Sequence, residues 1–145
     1  MYRLFSSVIL MGLLLGCKTQ TVEIDGNNLI ENDGVYIAPD TGLPFTGLAK
    51  WHYDNGQLKT YINYEDGIRN GLNEDFFEDG LLSEKSVYIE GKRNGLHEEF
   101  YDNGQMMERR HYVYGKGNGV WEWYSRVGTL VSRKYYVNGV EVSQE

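Results

Sequence analysis

The sequence predicts an all-β fold, an elongated antiparallel β-meander of four 24-residue β-hairpin repeats behind an N-terminal capping segment. Three observations lead there. Gly47, Gly71, Gly95 and Gly119 stand successively 24 residues apart, and each opens a similar block. Within the blocks, glycine recurs at position 10 (Gly56, Gly80, Gly104, Gly128) and position 21 (Gly67, Gly91, Gly115, Gly139), and tyrosine at position 18 (Tyr64, Tyr88, Tyr112, Tyr136). Turn-forming Asn-Gly and Asp-Gly pairs punctuate a chain rich in aromatic residues that shows no helical period. A period held without slippage over four units indicates a repeat architecture.

The 145 residues suffice for one domain. A formal net charge of −7 argues against a nucleic-acid binder, which would present a basic stripe to phosphates. The one cysteine has no internal disulfide partner.

Residues 1–16 read as a lipoprotein signal peptide. Arg3 supplies a positive start, Leu4–Leu15 is a largely apolar run too short for a permanent span, and Leu14-Leu15-Gly16-Cys17 resembles the bacterial lipobox. Cys17 is then the lipidated first residue of the mature chain, anchoring it in the bacterial cell envelope with membrane and leaflet left open. Residues 17–28 are polar and read as a flexible tether; by random-coil scaling, Lys18–Asn28 would hold the domain roughly 20 Å from the bilayer.

Residues 29–46 read as the cap. Val35-Tyr36-Ile37 is a short strand signal and Pro39-Asp40-Thr41-Gly42 a turn. Pro44 cannot donate to a ladder and belongs at an edge, so the cap is expected to cover the open edge of the first repeat.

The repeats occupy 47–142, as 47–70, 71–94, 95–118 and 119–142, followed by a tail at 143–145. Asn55-Gly56, Asp79-Gly80 and Asn103-Gly104 suit two-residue type I′ turns, while Asp66-Gly67, Asn70-Gly71, Asn94-Gly95, Asn118-Gly119 and Asn138-Gly139 mark the returns. Facing positions then sum to 19. Position 4 meets 15, pairing Glu74 with Lys85, Glu98 with Arg109 and Glu122 with Arg133. Position 7 meets 12, pairing Tyr53 with Leu58, Phe77 with Leu82 and Tyr101 with Met106. Apolar positions divide between the faces, 2 and 6 on one and 7, 12 and 18 on the other.

The pattern Gly71-Leu72, Phe76-Phe77-Glu78-Asp79-Gly80-Leu81-Leu82 and Tyr88-Ile89-Glu90-Gly91-Lys92-Arg93-Asn94-Gly95 resembles the MORN-repeat variant of bacterial proteins. The lead-in Leu43-Pro44-Phe45-Thr46-Gly47 is similar to the one in the YwqK-type antitoxin group. The resemblance covers about Val35–Val142. It implies hairpin repeats forming an extended sheet, contact with another protein or a membrane, and no catalytic residues. Repeat four departs from it, with Ser125 at position 7 and Trp121 and Trp123 added. Export through a lipobox suits an immunity protein better than a neutraliser of a cytoplasmic toxin.

No catalytic constellation is found, and neither a cofactor nor a metal site is expected. His52, His97 and His111 fall at different repeat positions, and His97-Glu98-Glu99 lacks the second histidine of a zincin motif. Asp54–Gly56 and Asp102–Gly104 are explained by turn chemistry. The candidate binding residues are an acidic strip and its flanking tryptophans. Positions 5 and 14 face one another, giving the like-charged pairs Asp75 with Glu84 and Glu99 with Glu108, with Trp51 and Trp123 at position 5 of the outer repeats and Trp121 beside them. Such a strip suits a basic protein surface. The functional expectation is therefore a membrane-anchored, non-catalytic binding module of the cell envelope, protein-binding and antitoxin- or immunity-like. The alternative is an envelope carbohydrate binder using its aromatic rows.

Overall fold

The computed structural model describes residues 21–143; Cys17 and the segment read as a signal peptide lie outside them. Strand β1 (Glu23–Asp25) is followed by a 3-10 turn (Gly26–Asn28), a small hairpin of β2 (Ile30–Asn32) and β3 (Val35–Ile37), and then the repeats. These contribute β4 (Gly47–His52), β5 (Leu58–Glu65), β6 (Ile68–Phe76), β7 (Leu82–Ile89), β8 (Lys92–Phe100) and β9 (Met106–Val113). The third repeat ends in β10 (Lys116–Gly117), and the last holds β11 (Gly119–Tyr124), β12 (Leu130–Val137) and β13 (Val140–Val142). The order in the main sheet is β1-β4-β5-β6-β7-β8-β9-β11-β12-β13, with β10 also on β9. From β4 onward it is the expected antiparallel meander.

The two kinds of turn exchange roles relative to expectation. Type I′ geometry, with positive φ at both central residues, occurs at the returns: Asp66 and Gly67, Glu90 and Gly91, Tyr114 and Gly115, Asn138 and Gly139. In the mid-repeat turns only the glycine has positive φ. There Gly56 donates to the Tyr53 carbonyl and Tyr53 to the Gln57 carbonyl, each at 2.9 Å, so the loop has three residues, a type I turn closed by a left-handed glycine. The extra residue is absorbed by a bulge, and position 6 rather than 7 meets position 12: His52 faces Leu58, Phe76 faces Leu82 and Phe100 faces Met106. The expected pairs of position 7 with 12 do not form. The charged pairs of position 4 with 15 do, at 3.1 Å for Glu74 and Lys85, 3.4 Å for Glu98 and Arg109 and 2.6 Å for Glu122 and Arg133.

Asn70, Asn94 and the glycines after them are not returns, because β6 and β8 run straight through them. Their amides instead fasten one repeat to the next. Asn70 Oδ1 accepts from the Glu90 N–H at 3.3 Å and Asn94 Oδ1 from the Tyr114 N–H at 3.1 Å, while Thr46 Oγ1 accepts from Asp66 in the same place. A backbone staple accompanies each and recurs once more at the last junction: Gly67 donates to Phe45, Gly91 to Arg69, Gly115 to Arg93 and Gly139 to Gly117, all at 2.7–2.9 Å. Neighbour stacking of this kind lets hairpins that are marginal alone form a stable array.

The N-terminal segment also departs from expectation. Glu23–Asp25 is not tether; it pairs in parallel with Leu48–Lys50 and covers the first repeat's edge. The cap lies over a face instead. Phe45, Ala49, Ile62 and Tyr64 form the buried apolar core, with Tyr36, Ile24, Leu29 and Trp51 packed against it.

Candidate functional site

Cross-strand pairing sorts one face of the sheet into three rows. The first runs Trp51, Thr60, Asp75, Glu84, Glu99, Glu108, Trp123, Ser132, each residue opposite the next. The sequence-predicted acidic residues thus stand in one line between two tryptophans. The second row runs Ala49, Ile62, Asn73, Ser86, His97, Arg110. The third alternates Tyr64, Arg69, Tyr88, Arg93, Tyr112 along successive strands, with Arg69 5.6 Å from the Tyr88 ring centre and Arg93 5.9 Å from that of Tyr112.

The expected division of apolar positions between faces is replaced by this arrangement. Position 18 lies on the row face with positions 3, 5, 14 and 16, whereas positions 2, 4, 6, 12 and 15 share the other. Away from the N-terminal core the row face buries polar groups: Asn73, Ser86, His97 and Glu108 are all buried, His97 to 1% exposure.

Burying so many polar groups is costly unless they satisfy one another, and most do, although Asn73 Oδ1, Glu108 Oε1 and Arg110 Nε have no hydrogen-bond partner among the described residues. Arg93 Nη2 donates to Glu84 Oε1 at 3.0 Å, and the Ser86 hydroxyl donates to the same oxygen at 3.0 Å. Ser86 Oγ lies 2.8 Å from His97 Nδ1, and His97 Nε2 lies 2.9 Å from Glu99 Oε1. Arg110 pairs with Glu108 Oε2 and lies over the rings of Trp121 and Trp123, 5.1 and 5.9 Å from their centres. Burial, reinforced by Arg93, lowers the His97 pKa from its ordinary value. Burial also raises that of Glu108, with hydrogen bonding and charge from Glu99 adding to it. The acidic strip is therefore largely compensated from within the same face. Asp75 differs: among the described residues it has no ion pair, only the Thr60 hydroxyl.

Beside Asp75 a groove of about 340 Å³ opens between the cap and the middle repeats, lined by Tyr36, Trp51, Lys59, Arg69, Asp75 and Tyr88 among others. Burial pushes the Tyr64 hydroxyl, on the same wall, up to about 12.

The tryptophans have structural neighbours. Trp51 packs under the 3-10 turn, where a Cβ on Gly26 would come 2.0 Å from its ring. Trp121 lies 5.3 Å from Tyr112 and 4.1 Å from Tyr136, centre to centre, in the interval that Arg69 and Arg93 fill in earlier repeats. The residue at that point is Gly117, which leaves room for the indole.

Sequence reasoning missed Ser86, His97, Arg110 and Arg93. A signal for the first three exists in the columns that change from copy to copy: Ala49, Asn73, His97, Trp121 at position 3, and Ile62, Ser86, Arg110, Lys134 at position 16. Columns invariant among copies maintain the repeat, whereas these vary because each holds a particular neighbour.

No curated protein matches the chain. The family described as MORN repeat variant matches at residues 45–66 and 93–114, the first and third repeats, each match beginning two residues before the opening glycine (47 − 45 and 95 − 93). The chain thus carries β-hairpin repeats similar to that family, and repeats of this kind suggest a binding module.

Proposed function

We propose that this protein is a non-catalytic binding module, tethered to the bacterial cell envelope through lipidated Cys17, that receives a basic side chain of a protein partner in the groove between Trp51 and Asp75. The observation that carries the reading is the difference between Asp75 and the rest of its row. Glu84 and Glu108 are paired with Arg93 and Arg110 and Glu99 lies against the His97 ring, while Asp75, across Thr60 from the Trp51 indole, has no ion pair among the described residues and lines the groove. A carboxylate and an aromatic ring together favour a lysine or arginine. An immunity- or antitoxin-like role is the biological form that suits an exported, anchored binder. Trp121 is already stacked between Tyr112 and Tyr136, so the protein reading is favoured over the sugar reading.

Two experiments test this. Capture of the crosslinked full-length protein from native membranes should recover one stoichiometric protein that Asp75→Asn and Trp51→Ala each lose. Equal recovery by both variants, or recovery of glycan alone, rules the groove out. Fatty-acid labelling should mark the wild type and not Cys17→Ser, which should move to the soluble fraction; an unlabelled wild type ends the anchor proposal.

A further inference from the structure

We propose that His97, Glu99 and Glu108 form a binding site for one divalent first-row transition cation, of which Zn²⁺ is the best match. The site is independent of the groove at Asp75 and of any partner.

Its geometry begins with a chain of hydrogen bonds that suits one histidine tautomer. Glu84 Oε1 can only accept, so the Ser86 hydroxyl, 3.0 Å away, spends its single proton there. With its proton there, Ser86 Oγ accepts from His97 Nδ1, at 2.8 Å. This leaves the neutral ring's lone pair on Nε2, and Nε2 points at two carboxylate oxygens, Glu99 Oε1 at 2.9 Å and Glu108 Oε1 at 3.7 Å. When both carboxylates are ionised, three lone-pair donors converging on one point repel one another, and a cation there relieves the repulsion.

The second observation is independent of the clustering. Glu108 is 3% exposed, its Oε2 is held by Arg110, and its Oε1 is buried with no hydrogen-bond partner. A buried, unpaired carboxylate oxygen is costly, and here it aims at the histidine nitrogen. One ligand atom from each of the three residues lies within 4.8 Å of the others. Metal–ligand bonds of about 2.0–2.2 Å in a tetrahedron separate ligand atoms by roughly 3.4 Å, so the cation fits with side-chain adjustment alone. Ser86 on Nδ1 and Arg110 on Oε2 are the outer partners that orient metal ligands. One nitrogen and two oxygens suit zinc or its neighbours better than calcium, which takes six or more oxygens. The donors come from β8 and β9, so a bound ion ties adjacent strands and keeps a fourth position for water.

The test uses the full-length chain purified in detergent and stripped with chelator, titrated with Co²⁺ under visible spectroscopy and then with Zn²⁺. One equivalent of Co²⁺ should produce d–d bands that one equivalent of Zn²⁺ removes. Glu99→Gln and Glu108→Gln should each weaken binding at least tenfold, and Glu98→Gln, on the opposite face, should not. Glu99 is partly exposed, so Glu99→Gln keeps the test valid if Glu108→Gln misfolds. Absence of stoichiometric binding by the folded wild type, or unchanged affinity in Glu99→Gln, overturns the site.

Discussion

Gly117 and Trp121 occupy a single space: a Cβ on the glycine would lie 2.6 Å from Trp121 Cζ2. In the two preceding repeats an arginine fills this column, Arg69 and Arg93, and at the N-terminal end Phe45 takes it, 6.2 Å from Tyr64. The tyrosine and arginine row thus ends in aromatic stacking at both extremes of the array. A repeat in the middle is covered by its neighbours, but the last one must close its own row, and Trp121 between Tyr112 and Tyr136 does so.

Gly117→Ala should push the indole out of this slot. Overpacking costs roughly 1–3 kcal/mol, read as a lower urea midpoint. Tryptophan emission should shift as Trp121 leaves the ring stack.

The repeats alternate in how their turns are joined. The Tyr53 hydroxyl donates to the Phe76 carbonyl at 2.7 Å and the Tyr101 hydroxyl to the Tyr124 carbonyl at 2.9 Å, whereas Phe77 at the same position has no hydroxyl. Tyr53→Phe and Tyr101→Phe should each cost about 0.5–1.5 kcal/mol. Two repeats separate the sites by four strand spacings, roughly 19 Å, so the losses should add. Phe77→Tyr should gain a comparable bond to Phe100. Equilibrium unfolding of the three single variants and the double variant measures all of this.

These joints explain which parts of the fold could be read in advance. The charged pairs, such as Glu98 with Arg109, were legible because the mid-repeat bulge lies beyond them toward the turn. Registers with a two-residue or a three-residue loop therefore agree at positions 2 to 5 and differ only from position 6, where Phe76 meets Leu82. An Asn-Gly pair serves either loop. Strand β1 was missed because three residues, Glu23, Ile24 and Asp25, pair in parallel with a segment 25 positions later, and no local period announces that. The polar row stayed hidden because hydrophobic patterning cannot register buried Ser86, His97 and Glu108. The acidic strip was legible as a line, but its compensation was not: Arg110 sits in the adjacent row and Arg93 in the row beyond it, neither opposite the carboxylate it pairs with.

The pH response should be two-sided when chelator keeps metal away. His97 is held below its ordinary value of 6.5, so the unfolded chain takes up a proton before the folded one. That contribution to stability is present above 6.5 and is lost as pH falls toward the lower folded value. Glu108 is shifted upward from 4.5, so the folded chain keeps its proton longer, and its contribution is lost as pH rises above the unfolded value toward the folded one. His97→Gln should remove the loss on acidification, seen in urea midpoints measured between about pH 7.5 and 5.5.

Two glycines with similar backbone angles should differ in their tolerance of alanine. Gly56, at φ +84°, has nothing within 4 Å of a Cβ, so Gly56→Ala costs only the left-handed penalty of roughly 1–2 kcal/mol. At Gly67 a Cβ would come 2.4 Å from Val35 Cγ1 and 2.7 Å from the Tyr36 carbonyl oxygen, where the cap meets the first repeat. Gly67→Ala should cost more than Gly56→Ala and loosen the cap, giving faster hydrogen exchange at the Tyr36 amide, which donates to Gly67 at 2.9 Å.

Site-specific photocrosslinking in native membranes tests the central claim most directly, with the crosslinker placed at Lys59 on the groove or at Lys85 on the opposite face. The account predicts one protein adduct from the Lys59 position, carrying a lysine or arginine at the crosslinked peptide, abolished by Asp75→Asn and absent from the Lys85 position. An adduct formed equally from Lys85, or one at Lys59 indifferent to Asp75→Asn, would contradict the groove as the binding site.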